Sequence, residues 1–319
     1  MRVGIFVSET WGAGSPIGEV RERAQRAEAL GFASGWVPYL PWSLDAFAAI
    51  QAAGEVTKTI PLGTAVVPTY FFHPLAMARQ AATVQAAIGR PIELGIGCSN
   101  VAVIAMHGLP YERPARHVRE YVEILSAALA VGEQPIGPRE KAGFVQYAGD
   151  FFKLGSIYGA PDTARPGRLL VGALGPQMLR VAGAHSDGTI ATWADAGAIE
   201  RGIIPALTRA AKEAGRPAPT VAGVVAIAIT NKADAVRAYA QTEFGFYEGA
   251  MPYRRMLEVG NAKKISDVCV IGDEETVARR LHELADAGMT DFLAAPLAFG
   301  ESSWDFTAER LAGLIHPPS

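Results

Sequence analysis

Residues 27–39 read AEALGFASGWVPY, and residues 284–296, near the other end of the chain, read LADAGMTDFLAAP. Each stretch contains the end of an amphipathic helix, a glycine that stops it, and an apolar strand that closes near a proline. Similar helix–strand units at opposite ends of a 319-residue chain indicate that the unit is repeated between them. The fold is therefore expected to alternate strands with helices.

Eight apolar runs of strand length follow one another, and they are continuous rather than alternating, as is typical of parallel strands buried on both faces. They cover residues 3–7, 35–40, 62–68, 92–97, 169–174, 189–193, 221–230 and 291–297. Between them, helices are predicted to open at Ser15-Pro16, Pro74, Pro176 and Asp273. Eight such units predict a (β/α)8 TIM barrel, since an open doubly wound sheet usually has fewer strands. Because the sequence contains no convincing linker, residues 1–319 are predicted to form a single domain.

The regular spacing breaks once, between the fourth and fifth strands, where residues 98–168 are inserted. This insertion is predicted to contain a helix at about 114–130 and a hairpin at 144–154 that turns at Gly149-Asp150. Because the loops that follow the strands build the active-site face of a barrel, the insertion is expected to form part of the active-site wall.

Composition narrows the classes of function. Half of the residues are hydrophobic and 19% are charged, which excludes a disordered chain. The 29 basic and 32 acidic residues give a net charge of −3, which argues against nucleic acid as a partner. The longest apolar run, 221–229, is too short for a membrane span, and the run 3–7 is too short for a signal-peptide core. The protein is expected to be soluble and cytoplasmic.

Motifs for hydrolysis or metal binding are missing, since the sequence has no HExxH, GxSxG, Walker loop or CxxC. The six histidines are scattered, and two cysteines, Cys98 and Cys269, make neither a disulfide framework nor a metal site. No metal is therefore predicted. The remaining chemical signal is glycine at two strand ends, in the segments Gly97-Cys98-Ser99-Asn100 and Ala173-Leu174-Gly175-Pro176-Gln177.

Both glycine-containing loops could hold a phosphate. After the fourth strand, small residues allow backbone N–H groups to approach a ligand, and Ser99 and Asn100 add side-chain donors. After the fifth strand, the chain enters a helix at once, so that the first-turn N–H groups and the helix dipole form an anion site. A tight turn and an ordinary loop before a proline are the alternatives. Two such loops on adjacent strands favour a phosphate-bearing cofactor.

Several segments, in their order and spacing, carry a family resemblance. They are the strand-three segment that leads to His73-Pro74, then Gly95-Ile96-Gly97, then Arg113-Pro114 with Arg116, His117 and Glu120, then residues 147–151, 175–188 and 271–292. With these segments the chain resembles the bacterial luciferase-like superfamily. The resemblance is to its deazaflavin-dependent branch, which uses coenzyme F420 and includes methylenetetrahydromethanopterin reductase.

The resemblance implies a (β/α)8 barrel with the cofactor ring at its C-terminal mouth, usually in a homodimer. It also implies a bulge in strand three with a non-proline cis peptide bond that backs the ring, among Thr64, Ala65 and Val66. The loops 97–100 and 173–177 would hold the phosphate and its linker, in agreement with the phosphate-binding role inferred from their glycines.

One departure concerns the proton donor. Several relatives carry an Asp-His pair after strand two, where this sequence has Tyr39 and Leu40. Glu9, after strand one, sits where some relatives have an acidic residue, and an apolar pocket would raise its pKa towards neutrality. Glu9 is therefore the first candidate donor, with a solvated loop carboxylate as the alternative, and Tyr39 is the second candidate. Four aromatic residues could line an apolar substrate pocket or could simply pack: Trp11, Trp42, Tyr70 and Phe71.

The expected function is transfer of a hydride between coenzyme F420 and a small organic substrate, in which the cofactor supplies the hydride chemistry. An FMN-dependent monooxygenase on the same scaffold is one alternative, and a non-catalytic protein that stores or delivers the cofactor is another. The F420 tail is an anionic lactyl-oligoglutamate chain. Arg113, Arg116 and Arg119 could bind it, unless they belong to a solvated helix face.

Overall fold

The computed structural model describes residues 1–8, 15–131, 142–159, 166–300 and 302–316. Its strands are β1 (Arg2–Phe6), β2 (Gly35–Val37), β3 (Leu62–Thr64), β4 (Val67–Pro68), β5 (Glu93–Gly97), β6 (Ala142–Ala148), β7 (Lys153–Gly159), β8 (Arg168–Gly172), β9 (Gly188–Thr192), β10 (Thr220–Ile229), β11 (Val270–Gly272) and β12 (Asp291–Pro296).

The helices are α1 (Ile17–Ala29), α2 (Ala46–Val56), α3 (Pro74–Ile88), α4 (Val101–Met106), α5 (Pro114–Ala130), α6 (Pro176–His185), α7 (Ala196–Ala198), α8 (Ile204–Glu213), α9 (Ala233–Phe244), α10 (Met251–Gly260), α11 (Ile265–Val268), α12 (Glu274–Asp286) and α13 (Trp304–Ile315). A π-helical turn (Ile199–Ile203) joins α7 to α8, and a 3₁₀ helix (Gly245–Gly249) precedes α10. None of these described helices is long and apolar enough to cross a membrane.

Eight parallel strands close into a barrel in the order β12-β1-β2-β3-β5-β8-β9-β10, and β10 pairs back with β12. The predicted TIM barrel is therefore confirmed. The third predicted strand is divided, because β3 pairs with β5 at Gly63 and the short β4 resumes the pairing at Val67. Strand β11 was not predicted. It has only three residues and pairs with the last three residues of β10, beyond the barrel itself.

The barrel interior is filled by apolar side chains and closed at its N-terminal end by charges. The inner cluster consists of Phe6, Trp36, Leu170, Ile190, Ala222, Val224, Leu293 and Ala295. Below it, the guanidinium of Arg168 donates to Glu93 Oε2 at 2.7 Å and to Asp291 Oδ1 at 3.1 Å, and Arg2 also pairs with Asp291. These residues begin β8, β5, β12 and β1, so the network ties together the starts of four strands.

The insertion after β5 has the two predicted parts. The helix predicted at 114–130 is α5, and the predicted hairpin is β6–β7, which is longer than expected and spans Ala142–Gly159. Its turn is closed by Gly149, whose N–H donates to the carbonyl of Phe152 at 2.8 Å. The hairpin is an antiparallel sheet of its own, separate from the barrel.

Candidate active site at the barrel mouth

The floor of the mouth is made by the bulge between β3 and β4. The peptide bond between Ala65 and Val66 is cis, at the place that the resemblance predicted. Both residues are half-buried and pack on the inner barrel cluster. Thr64, in contrast, is fully buried, and its hydroxyl donates to the Gly95 carbonyl at 2.8 Å and accepts from the Gly95 N–H at 2.9 Å. The Thr64 hydroxyl is thus occupied by these two hydrogen bonds inside the barrel wall.

The glycines of β5 are explained by this bulge. A Cβ on Gly95 would lie 2.1 Å from the carbonyl oxygen of Thr64, and a Cβ on Gly97 would lie 2.9 Å from Cγ2 of Val66. On the next strand, a Cβ on Gly172 would still be in contact with Val66, at 3.5 Å. Gly97 therefore makes room for the side chain of Val66, a reason that the sequence did not reveal.

The loop after β5 is ordered by its own polar groups. Ser99 has a positive φ of 58°, and the Asn100 side chain accepts a hydrogen bond from the Val103 N–H at 2.9 Å, which caps α4. The Tyr111 hydroxyl lies 3.2 Å from Cys98 Sγ. Burial raises the pKa of the Cys98 thiol and of Tyr111, so both groups stay protonated near neutral pH.

The first turn of α6 is the part of the mouth best suited to an anion. Its N-cap residue, Gly175, has no side chain to cap it, and Pro176, which has no N–H, is its first residue. A Cβ on Gly175 would meet no atom of the described residues within 4 Å. Helices α2, α3, α12 and α13 are capped by the side chains of Asp45, His73, Asp273 and Ser303, whereas α1, α5, α8, α9 and α10 resemble α6 in having no such cap from their N-cap residues. The start of α6 therefore combines uncapped N–H donors with open space, which an incoming phosphate needs.

An aromatic wall stands between the strand-three loop and the insertion. Tyr70 stacks on His117, with ring centroids 4.0 Å apart and planes at 6° to each other. Burial raises the pKa of Tyr70 to about 12 and lowers the pKa of His117 to about 4. Among the described residues, the buried hydroxyl of Thr69 has no hydrogen-bond partner, and the ring nitrogens of His117 make no hydrogen bond of normal geometry, although the Thr69 backbone lies near enough to favour the charged imidazolium.

A buried carboxylate fixes the hairpin onto this wall. Glu120 of α5 accepts hydrogen bonds from the backbone N–H groups of Asp150 at 3.1 Å, Phe151 at 2.9 Å and Phe152 at 3.4 Å, and from Arg116 Nε at 2.8 Å. Burial opposes ionisation of this carboxylate. The guanidinium and the backbone donors outweigh that effect and lower the pKa of Glu120 to about 2.

The sequence profile of the luciferase-like monooxygenase family matches residues 1–291. The chain belongs to this family. One relative is the F420-dependent glucose-6-phosphate dehydrogenase of Mycolicibacterium gilvum, which is 29% identical over 238 residues, covering 71% of this chain and 68% of the relative.

Solved structures confirm the luciferase-like fold and include users of both candidate cofactors. An F420-dependent secondary alcohol dehydrogenase, solved with an F420–acetone adduct, superposes with a TM-score of 0.79 at 20% identity, over 98% of this chain and 97% of the other. The oxygenating constituent of 3,6-diketocamphane monooxygenase from Pseudomonas putida, solved with FMN, superposes with a TM-score of 0.72 at 15% identity, over 99% and 98%.

Of the two candidate proton donors in this luciferase-like protein, the structure locates Tyr39. Its half-buried ring packs edge-on against Phe72, with centroids 5.6 Å apart, and tilted against Phe71 at 6.2 Å. Burial and the nearby Asp45 raise the pKa of Tyr39, so its hydroxyl carries a proton at neutral pH. Glu9 and Trp11 lie outside the described residues, and Trp42 is exposed.

The arginines of the luciferase-like insertion are engaged within it. Arg113 pairs with Asp150 at 2.9 Å, Arg116 pairs with Glu120, and Arg119 lies 3.9 Å from Glu123. These contacts agree with the helix-face alternative rather than with a site for an anionic tail. Within the described residues, no three His, Cys, Asp or Glu side chains gather closely enough to hold a metal ion.

Sequence reasoning missed several residues of the mouth. Tyr111 and Tyr253 carry no motif, yet Tyr111 contacts Cys98, and Tyr253 of α10 is close enough to Cys98 to interact with it electrostatically. The segment between β10 and β11 therefore extends over the mouth towards the loop after β5. An aromatic residue just before the Arg113-Pro114 motif is the only sequence signal that could have pointed to Tyr111.

Proposed function

We propose that this protein is an oxidoreductase that transfers a hydride between coenzyme F420 and a small organic substrate. The start of α6 carries the proposal, because its uncapped N–H groups and the open space beside Gly175 suit the cofactor's phosphate. The relatives named for F420 support the deazaflavin over other phosphate-bearing cofactors.

The chain's own residues take roles that follow from their positions. Bound F420 would supply the hydride chemistry. Ala65 and Val66 support the ring from below, and the loops 97–100 and 173–177 hold the phosphate and its linker. The wall of Tyr70 and His117, fixed by Glu120 to the hairpin, keeps water from one side of the mouth. Either Glu9 or Tyr39 holds the proton that accompanies the hydride, and the protonated state of Tyr39 supports its candidacy.

Exposed apolar side chains at the same face favour an apolar substrate. Large hydrophobic residues are exposed in the connections that follow β2, β5 and β10, namely Trp42, Val101, Met106, Phe246 and Met251. Exposed apolar groups concentrated on one face of a protein mark a place where an apolar ligand can be covered. We therefore propose a small molecule with a substantial apolar part as the substrate.

The alternative is an FMN-dependent monooxygenase. The FMN complex of the diketocamphane enzyme supports it, because that fold superposes on almost the whole of this chain. The two functions differ in oxygen use, since a deazaflavin reacts poorly with oxygen and a reduced flavin forms an oxygen adduct. The homodimer implied by the resemblance stays a prediction, which light scattering of the purified protein would test.

Titration of the purified protein with F420 and with FMN tests the proposal, with Gly175→Val as the variant. We expect tighter binding of F420 and no stoichiometric oxygen consumption. The valine methyl groups would occupy the open space beside Gly175, and losing one or two charge-assisted hydrogen bonds to the phosphate corresponds to about a 100-fold weaker affinity. The melting temperature should not change, because none of the described residues lies within 4 Å of that position.

Gly313→Val is the matched control, since a Cβ on Gly313 would also meet no atom of the described residues within 4 Å, and Gly313 lies on α13. It should leave both the cofactor affinity and the melting temperature unchanged. Unaltered F420 affinity in folded Gly175→Val would remove the phosphate from the start of α6. Tighter binding of FMN, with oxygen consumed together with substrate, would replace the proposal by the monooxygenase.

A further inference from the structure

A groove runs down the outer surface of the barrel between α6 and α8. It has a volume of about 210 Å³ and is lined by Pro176, Arg180, Ala206, Arg209, Ala210 and Glu213. Its upper end is Pro176, the first residue of α6. Pockets that enclose a whole small ligand have volumes of roughly 300–1,000 Å³, so this groove suits an extended segment of a longer ligand.

The groove contains two positive charges that have no partner among the described residues. Among the described arginines, only Arg180, Arg209 and Arg255 form no hydrogen bond, ion pair or cation–π contact with another described residue. Two of these three line the groove. Arg180 lies four residues, or about one helical turn, after Pro176 on the same helix face. The lower end of the groove is negative, because Glu213 follows Arg209 by one turn of α8.

We propose that this groove binds the anionic tail of the cofactor, with Arg180 and Arg209 facing its first carboxylates. This inference rests on the proposed function and adds the path that the tail of the bound cofactor follows out of the mouth. A tail attached to a phosphate at the start of α6 meets Pro176 first and Arg180 next. The arginines of the insertion, Arg113, Arg116 and Arg119, already face Asp150, Glu120 and Glu123, which leaves the groove as the better-charged path. Glu213 repels carboxylates and limits how far the tail follows the groove.

Fluorescence titrations with two forms of the deazaflavin test the proposal: F420 with its oligoglutamate tail, and the precursor without glutamates. The wild type should bind the tailed form more tightly. Arg180→Gln and Arg209→Gln should each weaken binding of the tailed form by about 2- to 5-fold, the size expected for an exposed ion pair, and should not change binding of the tail-free form. Glu213→Gln should strengthen binding of the tailed form by up to about 2-fold.

Arg255→Gln is the matched control, since Arg255 is the third arginine without a partner among the described residues and does not line the groove. It should change neither affinity, and the preference for the tailed form should shrink at high salt. The groove is not the tail site if Arg180→Gln and Arg209→Gln leave the preference intact, or if Arg255→Gln reduces it equally. If neither form binds to the wild type, the proposed function itself fails, and this inference fails with it.

Discussion

The two ends of the barrel differ in how far their polar groups are paired within the protein. At the N-terminal end, the buried carboxylates of Glu93 and Asp291 are both paired with Arg168. At the C-terminal end, among the described residues, the Thr69 hydroxyl has no hydrogen-bond partner, the buried ring nitrogens of His117 make no hydrogen bond of normal geometry, and the N-cap residue of α6 is a glycine without a side chain. One end is thus completed by the protein alone, and the other is arranged for groups that come from outside.

Arg168→Met tests this difference between the two ends of the barrel most directly. Because this change leaves the buried carboxylate of Glu93 without its arginine and that of Asp291 with Arg2 as its remaining arginine, it should lower the free energy of unfolding by about 3–5 kcal/mol. Urea denaturation measures this loss. Below the unfolding transition, cofactor affinity should stay at the wild-type value, since the network lies at the other end of the barrel.

Arg279→Ala is the control for Arg168→Met. It removes an exposed ion pair, Arg279–Glu283, in which the arginine side chain is 61% accessible. The expected loss is below about 1 kcal/mol. A similarly small loss for Arg168→Met would show that the buried network does not stabilise the barrel.

The burial of His117 in the mouth should make the stability of the protein depend on pH. The pKa of His117 is lowered from 6.5 to about 4, so between these values the unfolded chain binds more protons than the folded one. The free energy of unfolding should therefore rise from pH 4 to pH 6.5, by about 3 kcal/mol at 1.36 kcal/mol per pH unit. Urea denaturation across this range measures the rise, and His117→Phe should flatten it.

Glu120 contributes in a lower pH window, because its pKa is lowered from 4.5 to about 2. Its stabilisation is complete above pH 4.5 and is lost as the pH falls towards 2, so the difference between wild type and His117→Phe isolates the histidine. An equal pH dependence in both proteins would mean that His117 already has a partner in solution.

The smallest effects are expected at Asn100. Asn100→Asp keeps an oxygen that can cap α4 and so should change the unfolding free energy by less than about 0.5 kcal/mol. Its new negative charge should weaken binding of the anionic cofactor by about 3-fold, within the range of exposed charge interactions. Asn100→Ala should have the opposite effects. It should lower the unfolding free energy, because α4 loses its cap, and it should leave cofactor binding unchanged, because it adds no charge. If Asn100→Asp does not weaken cofactor binding, the loop 97–100 lies away from the phosphate.

The barrel could be predicted because each strand is a continuous apolar run, which is a local signal. The charge network could not, since Glu93 and Asp291 lie 75 and 123 residues from Arg168 along the chain. Gly97 was predicted as a site residue from its place after a strand, but its contact with Val66 depends on a bulge that no local pattern encodes. The cis bond was predicted from the family resemblance and not from the chemistry of the residues. Strand β11 was too short for its apolar residues to be distinctive.

The carboxylate of Glu120 has a consequence for the kinetics of ligand exchange. Hydrogen bonds to a charged group stabilise by about 1.5–3 kcal/mol each, and three backbone donors of the hairpin turn share this one acceptor. Lifting the turn away would break all three, and each 1.4 kcal/mol lowers the population of the open form tenfold. The hairpin is therefore a fixed boundary of the mouth, and molecules that enter or leave at each turnover must pass along its other sides.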